Sequence, residues 1–282
     1  HRARVRIAAN LAYEEAQAII DGRAENALKE PVLEPLWACW AALSKARARR
    51  EPLELDLPEK RVILDAEGRV KGIAVRERFD AHRLIEDMMI AANVAAAKAL
   101  EAKKAPVMYR DHEAPSREKL TSLKEYLGTM GISFALGQVV KPATFNQITK
   151  KAEGRPDATE ISEAVLRSQT QAYYAPRDEG HFGLALGSYA HFTSPIRRYS
   201  DVLVHRALVS AYRLGPGGLP EGADQRFAAI GEHISFTERR AMEAERETLD
   251  RYIARHLASH VGQVVRGRVS GVQAFGFLAT VD

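Results

Sequence analysis

The sequence of 282 residues predicts an α+β fold, in which helices surround a mixed sheet and a small β-barrel begins at the C-terminus. Three patterns predict it. Residues 80–104 form a long helical pattern with an apolar surface so wide that the helix must be largely buried. Residues 53–75 alternate apolar and polar side chains on both sides of Glu67-Gly68, as two strands joined by a turn do. Residues 261–282 alternate valine and glycine with polar residues, as the first strands of a barrel do.

The remaining elements are predicted to be mainly helical, because their apolar residues recur at helical spacing. The predicted helices are residues 3–22, 31–50, 116–131, 141–176 and 225–260, the last as one or two helices. A short strand is expected at residues 105–110, and the Gly- and Pro-rich residues 213–224 are expected to form a surface loop.

The composition limits the class of protein without deciding its function. The net charge is only +4, from 41 basic and 37 acidic residues, which permits a nucleic-acid partner but does not require one. Cys39 is the single cysteine, so neither an internal disulfide nor a cysteine-based metal site can form, which fits a reducing cytoplasm. No run of 18 apolar residues occurs, and we expect no membrane span.

Two polar residues stand out in the apolar helix at residues 80–104. Glu86 and Asn93 lie seven residues apart, hence on one face, among leucine and methionine side chains. A buried carboxylate is costly unless it is paired or hydrogen-bonded. Glu86 is therefore either half of a structural ion pair with a nearby arginine or an acid that faces a ligand, and the spacing does not decide between them.

The stretch "HFGLALGSYAHFTSPIRRYSDVLVHRAL", residues 181–208, predicts a strand, a tight turn and a helix. Ser194 and the threonine before it are residues that often precede a helix, and Pro195 suits the first helical position. We expect a helix from Ile196 to about residue 212, which places Arg197 and Arg198 in its first turn. Cations are unfavourable there unless an anion binds, and a phosphate is the natural one. The alternative is a capped helix whose arginines pair with acids of the C-terminal helix.

The same stretch predicts a polar stripe and a set of aromatic surfaces. Arg197, Asp201 and His205 recur every four residues, so Asp201 is expected to hold Arg197 in place. The aromatic rings on which nucleic-acid bases could stack are those of His181, Tyr189, His191, Phe192 and Tyr199.

These residues resemble a known family. Residues 181–208, together with "DAHRLIEDMMIAANVAAAKAL", "EGHFGLAL" and "TERRAMEA", are similar to segments of the ribonuclease II/ribonuclease R family, in family order and spacing, and are closer to ribonuclease R. The resemblance covers nearly the whole chain. It implies a processive 3′→5′ exoribonuclease that hydrolyses single-stranded RNA to nucleoside 5′-monophosphates, with the helices and sheet forming an RNA channel. We also expect a monomeric, cytoplasmic protein without a membrane partner.

The resemblance implies roles for individual residues. Arg197 matches the essential arginine that contacts the scissile phosphate, Glu86 matches an acid at the RNA 3′ end, and Tyr13 matches a tyrosine that helps to select RNA over DNA. A later family glutamate corresponds to Glu243 or Glu245, and local gaps leave both open. Further substrate contacts are expected from Ser194, Arg198, Tyr199 and His191.

The sequence also departs from the family pattern. Family members bind Mg²⁺ through a cluster of aspartates upstream of this region, whereas the acids of "EPLELDLPEK", including Asp56, are spread along a predicted hairpin. We therefore expect no metal site in this chain and no activity from it alone. Residues 1–260 are predicted to be the C-terminal portion of the catalytic domain, and residues 261–282 a truncated OB-fold. The alternative is a catalytically inactive RNA-binding module that retains the phosphate-contacting arginine.

Overall fold

The structure is a computed structural model that describes residues 2–55, 57, 59–135, 137, 139–258 and 260–281. Asp56, one of the acids of the predicted hairpin, lies outside the described residues, as do His1 and Asp282 at the ends of the two predicted domains. The fold mixes helices and strands, as the sequence predicts. Among the described residues, no helix is both long and apolar enough to cross a membrane.

Most of the secondary structure is helical. The α-helices are α1 (Tyr13–Ile20), α2 (Glu34–Arg50), α3 (Asp80–Ala102), α4 (Arg117–Thr129), α5 (Pro142–Ala152), α6 (Ala158–Ser168), α7 (Tyr199–Ala211) and α8 (Phe227–Ala258). A π-helical turn, Lys29–Leu33, precedes α2, and a 3₁₀ turn, Ala223–Arg226, precedes α8.

Within the described residues, the strands form three separate antiparallel pairs instead of the one mixed sheet that the sequence predicts. The pairs are β1 (Lys60–Leu64) with β2 (Val70–Val75), β3 (Tyr109–Asp111) with β4 (Tyr173–Ala175), and β5 (Gly267–Gln273) with β6 (Gly276–Val281). No larger sheet forms within the part of the chain that the structure describes. An apolar-polar alternation indicates that a segment is a strand but does not say which strand it pairs with. The β5–β6 hairpin lies where the barrel was predicted, and the barrel itself stays a prediction.

Among the described residues, two hydrophobic cores hold the helices together. One lies between α3, α7, the start of α8 and the β3–β4 pair, and its fully buried side chains include Leu100, Met108 and Val204. The other joins α4, α5 and α6 around Phe145 and Ile161. The first core positions the segment between β4 and α7, where most of the predicted site residues lie.

Two predicted helices are shorter than expected. The helical pattern at residues 141–176 forms α5 and α6, because Gly154 (φ +76°) and Pro156 interrupt it, and its last residues form β4. Residues 3–12 are not helical, so the first helix begins at Tyr13.

Candidate functional site

The segment at residues 181–187 is a compact turn and not the predicted strand. The backbone N–H of His181 donates to the carbonyl of Leu186 at 2.8 Å, and Ala185 lies at φ +52°. The ring of His112 holds this turn from the other side, since its Nδ1 accepts the N–H of Gly183 at 2.9 Å. A Cβ on Gly183 would lie 2.9 Å from the same nitrogen, so glycine is needed there. The backbone therefore satisfies its hydrogen bonds inside the turn, which overrides the apolar alternation.

Helix α7 begins at Tyr199, later than the predicted Ile196. Residues 195–197 form a turn in which the carbonyl of Ser194 accepts the N–H groups of Arg197 (3.2 Å) and Arg198 (3.1 Å). Arg198 is the residue that precedes the helix, and no side chain caps it. Both arginines therefore lie before the first helical turn. The prediction that they lie within that turn was wrong.

Asp201 pairs with Arg198 and not with Arg197 as predicted. Its two carboxylate oxygens accept Nη2 (2.8 Å) and Nε (2.9 Å) of Arg198, and Asp201 is completely buried. Arg198 immediately precedes α7, so its side chain can fold back over the first turn. Arg197 sits in the preceding turn, is exposed, and its guanidinium makes no hydrogen bond or ion pair with any residue that the structure describes. Asp201 does hold an arginine, but the predicted partner Arg197 was wrong, and the partner is Arg198.

Most of the aromatic rings that were predicted to stack on bases instead pack against other aromatic side chains of the protein. Tyr189 is buried and its hydroxyl accepts Asn93 Nδ2 at 3.0 Å. His191 shares a 2.9 Å hydrogen bond with the hydroxyl of Tyr174, and burial, with a contribution from nearby arginines, holds the pKa of His191 far below its usual value. His191 is therefore neutral at physiological pH.

The last two aromatic residues of this set differ in exposure. The ring of Phe192 stacks on His205, with ring centroids 4.3 Å apart. Tyr199 is exposed and is the member of the set that offers a ring to a ligand.

Glu86 lies at the surface of α3 and is not buried as predicted. It pairs with Arg78, and both side chains are about half exposed, at 47% and 46%. The side chain also lines two cavities of about 620 and 810 Å³, which share Arg78, Arg83 and Glu86. One alternative required an ion pair with a nearby arginine, and the other required open space for a ligand. Both are present at Glu86. The buried member of the predicted face is Asn93, whose Oδ1 accepts the N–H of Phe192 at 2.8 Å.

Tyr13 joins Glu86 in one cluster through His82, a residue for which the sequence predicted no role. The Tyr13 ring stacks on His82, with centroids 4.1 Å apart and planes 24° from parallel. His82 lines the 620 Å³ cavity together with Glu86. The position of His82, one helical turn before Glu86 on α3, was the signal that could have revealed it.

The predicted phosphate contact, Arg197, is not bonded to the residues predicted to contact the RNA 3′ end. No hydrogen bond or ion pair between described residues links Arg197 to the cluster of Tyr13, His82 and Glu86. Glu243 and Glu245 are both exposed on α8, so the geometry does not choose between them.

Comparison with known proteins decides the family. Residues 1–213 match the RNB domain. The chain belongs to the RNB-domain family. It is 37% identical to ribonuclease R of Escherichia coli (strain K12), over 97% of this chain and 35% of that protein. It is 39% identical to ribonuclease R of Aquifex aeolicus, over 99% of this chain and 40% of that protein. The predicted family is thereby confirmed, and the chain spans between a third and two fifths of these relatives.

Solved structures share the RNB fold with this chain. Mycoplasma genitalium RNase R in complex with ribose-methylated single-stranded RNA matches with a TM-score of 0.88 at 24% identity, over 96% of this chain and 43% of that one. Yeast Ssd1, a pseudonuclease, matches more distantly, with a TM-score of 0.55 at 18% identity, over 80% of this chain and 28% of that one. The likeness confirms the mixed helical and strand architecture.

The RNB resemblance also implies a metal ion, for which the described residues show no site. None of them form a group of three or more His, Cys, Asp or Glu side chains that could hold a cation. The described residues therefore do not fit a bound Mg²⁺.

Proposed function

We propose that the chain is part of a 3′→5′ exoribonuclease that hydrolyses single-stranded RNA to nucleoside 5′-monophosphates. The observation that carries the proposal is the exposed guanidinium of Arg197, at the position where the RNB resemblance requires a phosphate-contacting arginine. Relatives that bear the name ribonuclease R support the reaction class.

Arg197 suits this role because of its chemistry and its freedom from internal partners. A guanidinium presents a planar set of N–H donors that matches phosphate oxygens. Its donors make no hydrogen bond to another described side chain, so binding a phosphate breaks no existing pair. During hydrolysis, negative charge grows on the oxygens of the scissile phosphate. A donor that is already aimed at them stabilises the transition state more than the bound RNA.

The cluster of Tyr13, His82 and Glu86 is proposed to bind the terminal ribose. Hydroxyl groups are good donors to a carboxylate, and the 2′-hydroxyl distinguishes RNA from DNA. Among the described residues, Glu86 is held only by its pair with Arg78, and an exposed pair of this kind contributes little, about 0–1 kcal/mol. Ribose hydroxyls can therefore take the place of Arg78 at small cost. The Tyr13–His82 stack forms one wall near the same cavity.

The other predicted contacts belong to the same proposal. Tyr199 offers an exposed ring to a base, and one of Glu243 and Glu245 is proposed to contact RNA from α8. Ser194 and His191 lie within or next to the loop that carries Arg197 and are proposed to contact the RNA backbone.

The complete protein is proposed to supply what these residues lack. Mg²⁺ would be bound by residues of the complete protein outside this chain, as the resemblance implies. The complete protein is further proposed to be a cytoplasmic monomer. These proposals extend beyond the third to two fifths of the relatives that the chain covers.

The test compares the full-length protein, its Arg197→Ala variant and this chain on 5′-labelled single-stranded RNA with magnesium. We expect the full-length protein to shorten the RNA from its 3′ end, and Arg197→Ala to lower turnover by about 10²–10³-fold, with a smaller effect on affinity. Arg226→Ala removes another exposed arginine and should leave turnover unchanged. RNA binding by the full-length protein without any shortening would contradict the proposal and would indicate an inactive binding module.

A further inference from the structure

Asp201 is the most completely satisfied buried carboxylate near the proposed site. It is 0% exposed and accepts four hydrogen bonds. Two come from Arg198, one from the backbone N–H of Ser194 at 2.7 Å, and one from the hydroxyl of Ser200 at 3.1 Å. Asp201 also lies in the first turn of α7, where the helix dipole favours a negative charge. Its position is therefore fixed from the helix and from the loop.

These contacts fix the backbone of the loop that carries Arg197, residues 193–198. The N–H of Ser194 is held by Asp201, while the carbonyl of Ser194 accepts the N–H groups of Arg197 and Arg198. Before the loop, the N–H of Phe192 donates to Asn93 at 2.8 Å, and the carbonyl of Phe192 faces His205 Nε2 at 2.9 Å. The backbone on both sides of Arg197 is thus tied to α3 and α7.

The geometry points to Asp201 and Arg198 as positioning residues that aim Arg197 at the phosphate. The inference rests on the proposed function of Arg197. Arg198 was predicted to contact the substrate, but two of its donors are directed at Asp201 and a third reaches Thr193 Oγ1 at 3.4 Å. Arg198 therefore acts through the loop. Because a misplacement of a reacting group by about 1 Å can cost about 10²-fold in rate, this clamp controls turnover more than RNA affinity.

The chemistry of the clamp explains why arginine is used at position 198. Its Nε and Nη2 reach both oxygens of Asp201 at once, which fixes the orientation of the two side chains. Lysine would keep the charge but could not engage both oxygens with a planar pair of donors. Arg198→Lys should therefore preserve folding and loosen the loop, whereas Asp201→Asn removes the charge that holds it.

The test is a double-mutant cycle in the full-length protein, with single-turnover cleavage at saturating RNA and RNA affinity as readouts. We expect Asp201→Asn to lower the rate by about 10–100-fold and RNA affinity by less than about 3-fold. In the Arg197→Ala background, the same substitution should lower the rate by less than about 2-fold, since its effect passes through Arg197. Arg198→Lys should show the same dependence on Arg197 with a smaller loss.

Controls separate positioning from general destabilisation. Arg206→Lys makes the same exchange on α7, at a residue that donates to the carbonyl of Gly218, and should leave the rate unchanged. Thermal unfolding shows whether Asp201→Asn folds, and Arg198→Lys carries the cycle if it does not. Equal losses with and without Arg197, or no loss in either variant, would overturn the inference while the proposed function stands. An Arg197→Ala variant with normal turnover would overturn both.

Discussion

Glu238 on α8 forms a two-point ion pair with Arg110 on β3. Oε2 and Oε1 of Glu238 accept Nη1 at 2.7 Å and Nη2 at 3.2 Å, and the guanidinium lies 4.5 Å from the centre of the Tyr174 ring. The Arg110 side chain is 14% exposed, so its charge is largely removed from water. The charged sequence around Glu238 is typical of a solvated helix face, yet this ion pair is one of the contacts that join the long helix to the β3–β4 pair.

We expect Glu238→Gln to lower the free energy of unfolding by about 1–3 kcal/mol, because it leaves the mostly buried Arg110 without a counter-charge. Urea denaturation of this chain measures the effect. Glu247→Gln removes an exposed partner of Arg251 on the same helix and should change stability by less than about 0.5 kcal/mol. Equal effects of the two substitutions would contradict the structural role of Glu238.

Gly231 lets α8 approach β4 closely. A Cβ at this position would lie 2.4 Å from the carbonyl oxygen of Tyr174, and the neighbouring Ser235 hydroxyl bridges Tyr174 N–H and Gly231 C=O. Gly231→Ala should destabilise the protein by about 1–3 kcal/mol, because backbone would have to move. Gly128→Ala, on a helix where nothing lies within 4 Å of the added Cβ, should instead stabilise it by up to about 1 kcal/mol. Paired urea titrations compare them, and similar signs would refute the packing argument.

Asp111 is a buried acid whose ionisation opposes folding. It is 1% exposed, its Oδ1 accepts the N–H of Glu179 at 3.1 Å, and its Oδ2 has no hydrogen-bond partner among the described residues. Burial raises the pKa of Asp111 to about 7, and the charges of nearby acids act in the same direction. In the unfolded chain, the pKa of an aspartate is about 3.9. Between these values the folded state binds more protons than the unfolded state, so stability falls as pH rises.

We expect Asp111→Asn to remove this pH dependence. The variant should gain stability relative to the original protein as pH rises from about 4 to 8, by up to about 4 kcal/mol, because asparagine cannot acquire the buried charge. The measurement is the free energy of unfolding in urea at a series of pH values, taken as the difference between the two proteins. A difference that stays constant with pH would show that Asp111 does not titrate in this range.

Ribose selection should depend on the cluster around the 620 Å³ cavity. In the full-length protein, Glu86→Gln and Tyr13→Ala are each expected to reduce the ratio of RNA to DNA cleavage by about 10-fold, since a ribose hydroxyl loses a charged acceptor or a supporting wall. Rates on RNA and DNA oligonucleotides of identical sequence give this ratio. Glu163→Gln, at an exposed pair on α6, is the control and should leave the ratio unchanged. An unaltered ratio in both variants would remove the cluster from substrate selection.

The sequence predicted the helices best where their pattern was long. The apolar helix α3 and the charged helix α8 both begin and end close to the residues that the sequence predicts. It failed at residues 181–187, where local alternation predicted a strand and the structure has a turn built around His112, more than 70 residues away in the chain. Periodicity reports only local preference, and tertiary hydrogen bonds overrode it.

The sequence by itself determined the family, the two longest helices and the candidate status of Arg197, Glu86 and Tyr13. Only the tertiary structure decided that Asp201 holds Arg198, leaving Arg197 exposed, and that Glu86 lies at the surface with Arg78. The start of α7 is set by the hydrogen bonds of Ser194 and Asp201, and a shift of three residues at that start exchanges which arginine meets the carboxylate. Spacing along a chain fixes a contact only when the helix is known to include both residues, and that is a property of the folded structure.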